Sequence, residues 1–398
     1  MRFTGIEKVK QWFRSVVKIP RGVKIAICVF PVILTALFYV LRPYPHIMGW
    51  VSTYISGPVR SFLGLLSSVY PFSMMEVLCT VAGIYFIYYI IKSIRETARR
   101  REKWKLLGKR ILPVLIIALY IFSLFNWLWN SGYHAPGFAE RYELTGNGVA
   151  VEDLIEVTRL FAGRANELSV LMERDEDGRY AGNRREMFAA STGIYRNIAR
   201  EFPSLGGRLY TPKPMLFSWL MSITGYTGMY FALTGEAMIN TRPPGAFMPA
   251  TVAHEHAHQL GVFAEDEANF VGILACVTSN NATFRYAGYM SGLNYLLNAL
   301  SSVDVLSSLY GEDNAWWQIY NSLTDEVIMD RNETFQFWAS QKTVSTGVDL
   351  IDTVLTAVVE YTSDTVDTIY DNFLKAQNQE LGLRSYGACV DLLVEYFK

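Results

Sequence analysis

Three stretches of this chain, Val23 to Leu41, Met74 to Ile91 and Ile111 to Trp129, are apolar almost throughout. Each approaches the ~20 residues that a hydrocarbon core of about 30 Å requires of a helix. Lipid offers no hydrogen bonds, so a spanning segment must satisfy its own backbone, and these runs have to be helices. The first run is long, lacks a small-residue cleavage site and precedes two more, which makes it a span and not a removed signal. Residues 1–130 therefore form a membrane domain, and 131–398 are long enough for a further domain with its own core. Trp50, Trp127 and Trp129 fall where aromatic side chains gather at membrane surfaces.

Charge orients the spans. The formal net charge of −1 conceals a division: 18 Lys and Arg against 4 Asp and Glu precede Ile111, and 18 against 33 follow. Lys8, Lys10, Arg14, Lys18, Arg21 and Lys24 come before the first run, and a second basic cluster from Arg95 to Arg110 separates the second and third. The connection from Arg42 to Ser73 carries only Arg42 and Arg60. The positive-inside rule then makes the N-terminus and the second connection cytoplasmic and delivers everything after about Asn130 to the outside. Arg99-Arg100-Arg101 beside a span reads as topogenic, so the expected partner is the lipid bilayer and no nucleic acid.

Gly57, Pro58 and Gly64 break the rather apolar connection 46–73, which predicts interfacial or re-entrant helices packed on the bundle. Met215 to Leu233 is apolar and long enough to cross, and a fourth span there would return later residues to the cytoplasm. Its Ser, Thr, Gly and Tyr content instead predicts a β-hairpin turning at Thr224-Gly225-Tyr226-Thr227-Gly228. Helical spacing of apolar residues marks 151–173, 184–201, 284–300 and 346–377. The expected fold is mainly α: three transmembrane helices, then a predominantly helical extracytoplasmic domain with a small β-hairpin or sheet. Cys276 and Cys389 read as buried thiols in preference to a disulfide.

The chemistry concentrates at His254-Glu255-His256-Ala257-His258, an H-E-x-x-H pattern holding three of the five histidines. Pro249 and Thr251 suit a helix start and Gly261 a helix stop. On that helix His254 and His258, one turn apart, can converge on one Zn²⁺, while Glu255 stands beside the metal as general base and then general acid. His256 turns to the other side. A catalytic zinc keeps three protein ligands and an open position, so a third ligand should follow. Glu265-Asp266-Glu267-Ala268-Asn269-Phe270 supplies the candidates, Glu265 and Glu267. The segment resembles the gluzincin metallopeptidases, whose third ligand is the first Glu of an E-x-x-x-D or E-x-x-A-D pattern. That resemblance favours Glu265, with Asn269 in place of the Asp and in reach of orienting a ligand histidine. Tyr386, Arg384 and Tyr289, in that order, are candidates to stabilise an oxyanion.

Three N-terminal spans, the H-E-x-A-H-Q-x-G and E-D-E-A-N-F motifs, Thr234–Asn240, Tyr370–Lys375 and Ser385-Tyr386-Gly387 together resemble a family of bacterial membrane proteins catalogued as domain of unknown function 3810. The resemblance implies a bacterial plasma-membrane location and a zinc metallopeptidase, without a substrate. The leading expectation is a membrane-anchored zinc-dependent hydrolase acting on a peptide or protein substrate outside the cytoplasm. The alternative is a membrane sensor or interaction protein whose zinc site is structural or vestigial, which a fourth protein ligand would betray. An intramembrane protease fits worst, because Glu265, Asp266 and Glu267 would be costly in hydrocarbon. No feature of the sequence sets an oligomeric state.

Overall fold

The computed structural model describes residues 20–98, 103–144, 149–306, 314–341, 349–376 and 388–398. The first apolar run is helix α1 (Arg21–Leu41). A helical stretch follows, made of α2 (Pro45–Val51), a π-helical turn at Ser52–Ser56, and α3 (Gly57–Ser67). The other two runs lie in α4 (Met74–Ala98) and α5 (Lys103–Phe125). Arg21–Leu41, Met74–Thr97 and Trp104–Tyr133 are long and apolar enough to cross a membrane; Met215 to Leu233 is not among them. The third passes through a π-helical turn, Asn126–Asn130, so that it enters the outer domain without a break. Arg99-Arg100-Arg101 and the basic residues before Pro20 lie outside the described residues.

Spacing explains the α2–α3 stretch. Met48, Ser52, Ser56, Arg60 and Gly64 recur every fourth residue and are all buried. Small and polar side chains on this stripe let the helix lie close to the end of the third span. Ser56 Oγ donates to the Trp127 carbonyl at 2.5 Å and the Arg60 guanidinium to the Leu128 carbonyl at 2.8 Å. The opposite face, with Trp50, Tyr54 and Phe62, is exposed and apolar, as a helix lying along the bilayer requires.

Beyond the spans come α6 (Phe138–Arg141), α7 (Val151–Ser169), α8 (Arg184–Ser191), β1 (Lys213–Pro214), α9 (Ser218–Ile223), β2 (Gly228–Phe231) and β3 (Glu236–Ile239). The rest is mainly helical: α10 (Met248–Gln259), α11 (Glu265–Val277), α12 (Ala282–Leu306), α13 (Asp325–Gln341), α14 (Asp349–Ala376) and α15 (Ala388–Phe397). Helices α7, α10, α11, α12 and α15 enclose the main core, in which Phe161, Phe270, Phe284 and Tyr286 are fully buried. Cys276 and Cys389 are both free and buried there. The expected helix from 184 to 201 ends at Ser191 and continues as two 3₁₀ turns.

The sheet runs β1-β3-β2, with β1 parallel and β2 antiparallel to β3. The hairpin is real but displaced from its expected place. Its strands are 228–231 and 236–239, so the turn falls at 232–235, where Gly235 adopts φ +68° against the backbone of Arg60 and Gly64. The Thr-Gly pair expected to turn it instead ends helix α9. Gly225 takes φ +79°, its N–H bonds to the Ser222 carbonyl and the Tyr226 N–H to the Met221 carbonyl. That is the glycine helix stop, and its sequence looks the same as a hairpin turn.

Two buried carboxylates mount the sheet on the second span. Glu236 of β3 accepts the Met74 and Met75 N–H groups at 2.9 Å each and the Lys213 ammonium at 2.6 Å. Glu76, in the first turn of α4, accepts the Leu216 and Phe217 N–H groups at 2.9 and 2.8 Å. Each acid satisfies backbone donors that would otherwise be orphaned, at a helix start and at the loop into α9. Glu236→Ala would strand the buried Lys213 and uncap α4. Breaking a buried pair in this way costs about 3–5 kcal/mol, so thermal unfolding in detergent should show a loss of that order. An unchanged melting temperature would refute this role for Glu236.

Candidate metal centre

Helix α10 carries the H-E-x-x-H residues and ends where Gly261 allows it. Gly261 takes φ +90°, its N–H bonds to the His258 carbonyl, and the Val262 N–H bonds to the Ala257 carbonyl. This pair of bonds is the Schellman stop. The same turn swings the Val262 carbonyl onto His258, which donates to it from Nδ1 at 2.8 Å. With that proton fixed, the Nε2 lone pair faces the site. Three residues later α11 begins, and its first residue, Glu265, points back. Glu265 Oε2 lies 3.2 Å from His254 Nε2, and Oε1 lies 3.6 Å from His258 Nε2.

His254, His258 and Glu265 thus converge as expected, with ligand atoms all within 4.8 Å of one another. Among the described residues no fourth histidine, cysteine or acid joins the group. Glu255 stands beside it, 4% exposed, under β2: a Cβ at Gly228 would collide with its carboxylate. Only glycine lets the strand lie so close. Glu255 Oε2 is buried with no hydrogen-bond donor, an acceptor left for whatever enters the site.

Electrostatics follow from burial and proximity. Burial pushes Glu255 up to about 7, with the two histidines opposing. Burial alone would lower His258, but the carboxylates, Glu265 foremost, outweigh it and raise the ring to about 9. Against the burial that would raise it, His258 and His254 hold Glu265 well below the ordinary carboxylate range. A pocket that stabilises one positive charge between two imidazoles and a carboxylate suits a divalent cation, for which the ligands give up their protons.

Neighbours complete the walls. Trp129, from the end of the third span, meets the His258 ring edge to face at 5.5 Å and packs on Phe263 and Tyr230. Tyr370 of α14 donates from its hydroxyl to Glu265 Oε1 at 2.5 Å. Its ring stacks near Phe373, which touches Phe125 and Tyr133, and meets Tyr226 edge to face at 5.7 Å.

Several expected roles fall elsewhere. Glu267, the other candidate ligand, turns away and caps α6, accepting the Phe138 and Ala139 N–H groups at 2.8 Å each. His256 is fully buried on the far side of α10, bonded to Ser191 at 3.0 Å, and burial lowers it to about 3. Asn269 orients neither histidine; its Nδ2 is buried without a partner, and the Val262 carbonyl performs that task for His258. Tyr289 packs against Phe161 between α7 and α12. Tyr386 and Arg384 lie outside the described residues. The Thr234–Asn240 segment is core, since all of β3 is buried. Sequence reasoning misses Tyr370 and Tyr226 as site residues. Tyr370 opens one of the segments that carry the family resemblance, but nothing in its spacing ties it to Glu265, 105 residues earlier.

The chain belongs to the family described as Protein of unknown function (DUF3810), whose model matches residues 52–394. No curated protein and no solved structure matches it.

Titration of purified protein with Zn²⁺ should separate the two acids. Glu265→Gln is expected to weaken binding by at least tenfold, the lower end of what disturbing a metal site's ligand shell costs. Glu267→Gln should bind normally yet lose about 1–3 kcal/mol of stability, because a backbone donor at α6 goes unpaired. The reverse order of metal loss would move the ligand to Glu267.

Proposed function

We propose that this protein is a membrane-anchored zinc metallopeptidase whose site lies outside the cytoplasm. The observation that carries the reading is the convergence of His254, His258 and Glu265 beside a buried Glu255 with a free acceptor oxygen. Two imidazoles and one carboxylate are the donor set of zincin-type hydrolases, and the absence of a fourth donor among the described residues supports an open position. His254, His258 and Glu265 would hold the ion. Zinc supplies a Lewis acid and lowers the pKa of water to near 7.

The chain's own residues do the rest. Glu255, raised to about 7, can take a proton near neutral pH and return it to a leaving amine. Strand β2 lies at the sheet's edge, with its Gly228 backbone against Glu255, so an extended peptide added to that edge would run past the carboxylate. Tyr370, already donating to Glu265 Oε1, is placed to offer its hydroxyl to negative charge formed beside the ligands. The second reading, a structural or vestigial site in a sensor, lacks a fourth donor to close the site among the described residues.

Glu255→Gln separates the two. Zinc content should stay near one equivalent, while hydrolysis falls about 10²–10⁴-fold, the usual contribution of a general base. A variant as fast as the wild type in a metal-dependent assay would end the proposed mechanism. Orientation rests on the charge division of the sequence. A reporter fused after Lys398 that works only outside the cytoplasm should therefore be active; activity of a cytoplasm-only reporter would reverse the topology.

A further inference from the structure

Helix α9 presents the wrong face for a surface helix in water. Leu216, Phe217, Trp219 and Leu220 are 62, 40, 49 and 45% exposed, whereas Ser218 and Ser222, the polar residues, are buried with Met221. The backbone of Leu216 and Phe217 is pinned to Glu76, third residue of the span helix α4, so this apolar face stands level with the first turn of a membrane span. A short amphipathic segment at that height meets lipid and has reason to face its apolar side outward. Trp219 is a residue suited to that boundary.

The same segment is continuous with the candidate metal centre. Through Gly225 it becomes β2, whose Gly228 rests on Glu255. From the other side, Trp129 brings the end of the third span to within a ring contact of His258. The site is therefore bracketed by two elements at the bilayer surface.

We propose that Leu216–Leu220 dips into the leaflet beneath the site, and that the substrates are membrane-anchored polypeptides, engaged along β2 where they leave the bilayer. The dipping segment stands on the structure alone; the substrate class rests on the peptidase reading above.

The test has two arms, both on the full chain in vesicles of phosphatidylethanolamine and phosphatidylglycerol. In the first, the emission of Trp219 is taken as the difference between wild type and Trp219→Phe, in vesicles whose acyl chains are brominated near the headgroup. Quenching by bromine with shielding from aqueous iodide is expected; iodide access without bromine quenching would overturn the dipping segment and point to a water-borne partner on this face. In the second arm, zinc-loaded protein meets a mixed-sequence peptide pool either carrying a dipalmitoyl anchor in the same vesicles or free in solution. Short tethers raise effective concentration toward the millimolar range, so the anchored pool at micromolar concentration should be cut at least about tenfold faster. Leu216→Glu combined with Trp219→Glu should lower the anchored rate severalfold and leave the free rate and zinc content unchanged. Equal rates for the two pools would overturn the substrate class alone. Hydrolysis of neither pool would remove the peptidase reading and the substrate class with it, while the bromine result still decides the dipping segment.

Discussion

The buried Glu236 carboxylate is the joint on which the outer domain stands. It holds two backbone donors at the start of the second span and the ammonium of Lys213, which in turn reaches the Ser67 carbonyl at the end of α3. One side chain thus ties a span, an interfacial helix and two strands. Burying such a charge is tolerable only because every oxygen is occupied. Since β3 pairs with β2, and β2 lies on Glu255, the height of the candidate metal centre above the bilayer is set by this contact. Glu76 repeats the arrangement in the opposite direction, a span residue holding the outer domain's backbone.

At the centre itself, a single glycine does two jobs. By admitting a left-handed turn at residue 261, it ends α10 and brings the Val262 carbonyl to His258 Nδ1. The third member of the group then arrives at the first position of the next helix, where the helix dipole favours its negative charge. Ligand orientation and chain reversal are one structural event. The wall of Trp129, Phe263 and Tyr230 keeps that side of the site apolar, which strengthens the interaction of the histidines with Glu265.

Much of this architecture is legible in the order of residues. Hydropathy and backbone hydrogen bonding leave the three apolar runs no fold except helices, and the helical period places His254 and His258 on one face. Gly261 as a stop also follows from residue type. Local signals fail where one signature serves two structures. Thr224-Gly225 reads as a hairpin turn and is a helix cap, because both need a residue at positive φ. The stretch 184–201 keeps its apolar spacing but breaks into 3₁₀ turns after Ser191.

By itself the sequence determined the membrane helices, the mainly helical outer domain, and a pair of histidines with an acid beside them, all consequences of period and composition. Tertiary structure alone decided which acid joins the pair. Glu265 and Glu267 differ by two positions, and on a helix two positions is more than half a turn, so one faces the histidines and the other the start of α6. It also decided that Tyr370 reaches Glu265 across 105 residues and that Trp129 of a span leans on His258. Contacts between distant segments depend on how helices pack, and the periodicity of either segment carries no record of its partner.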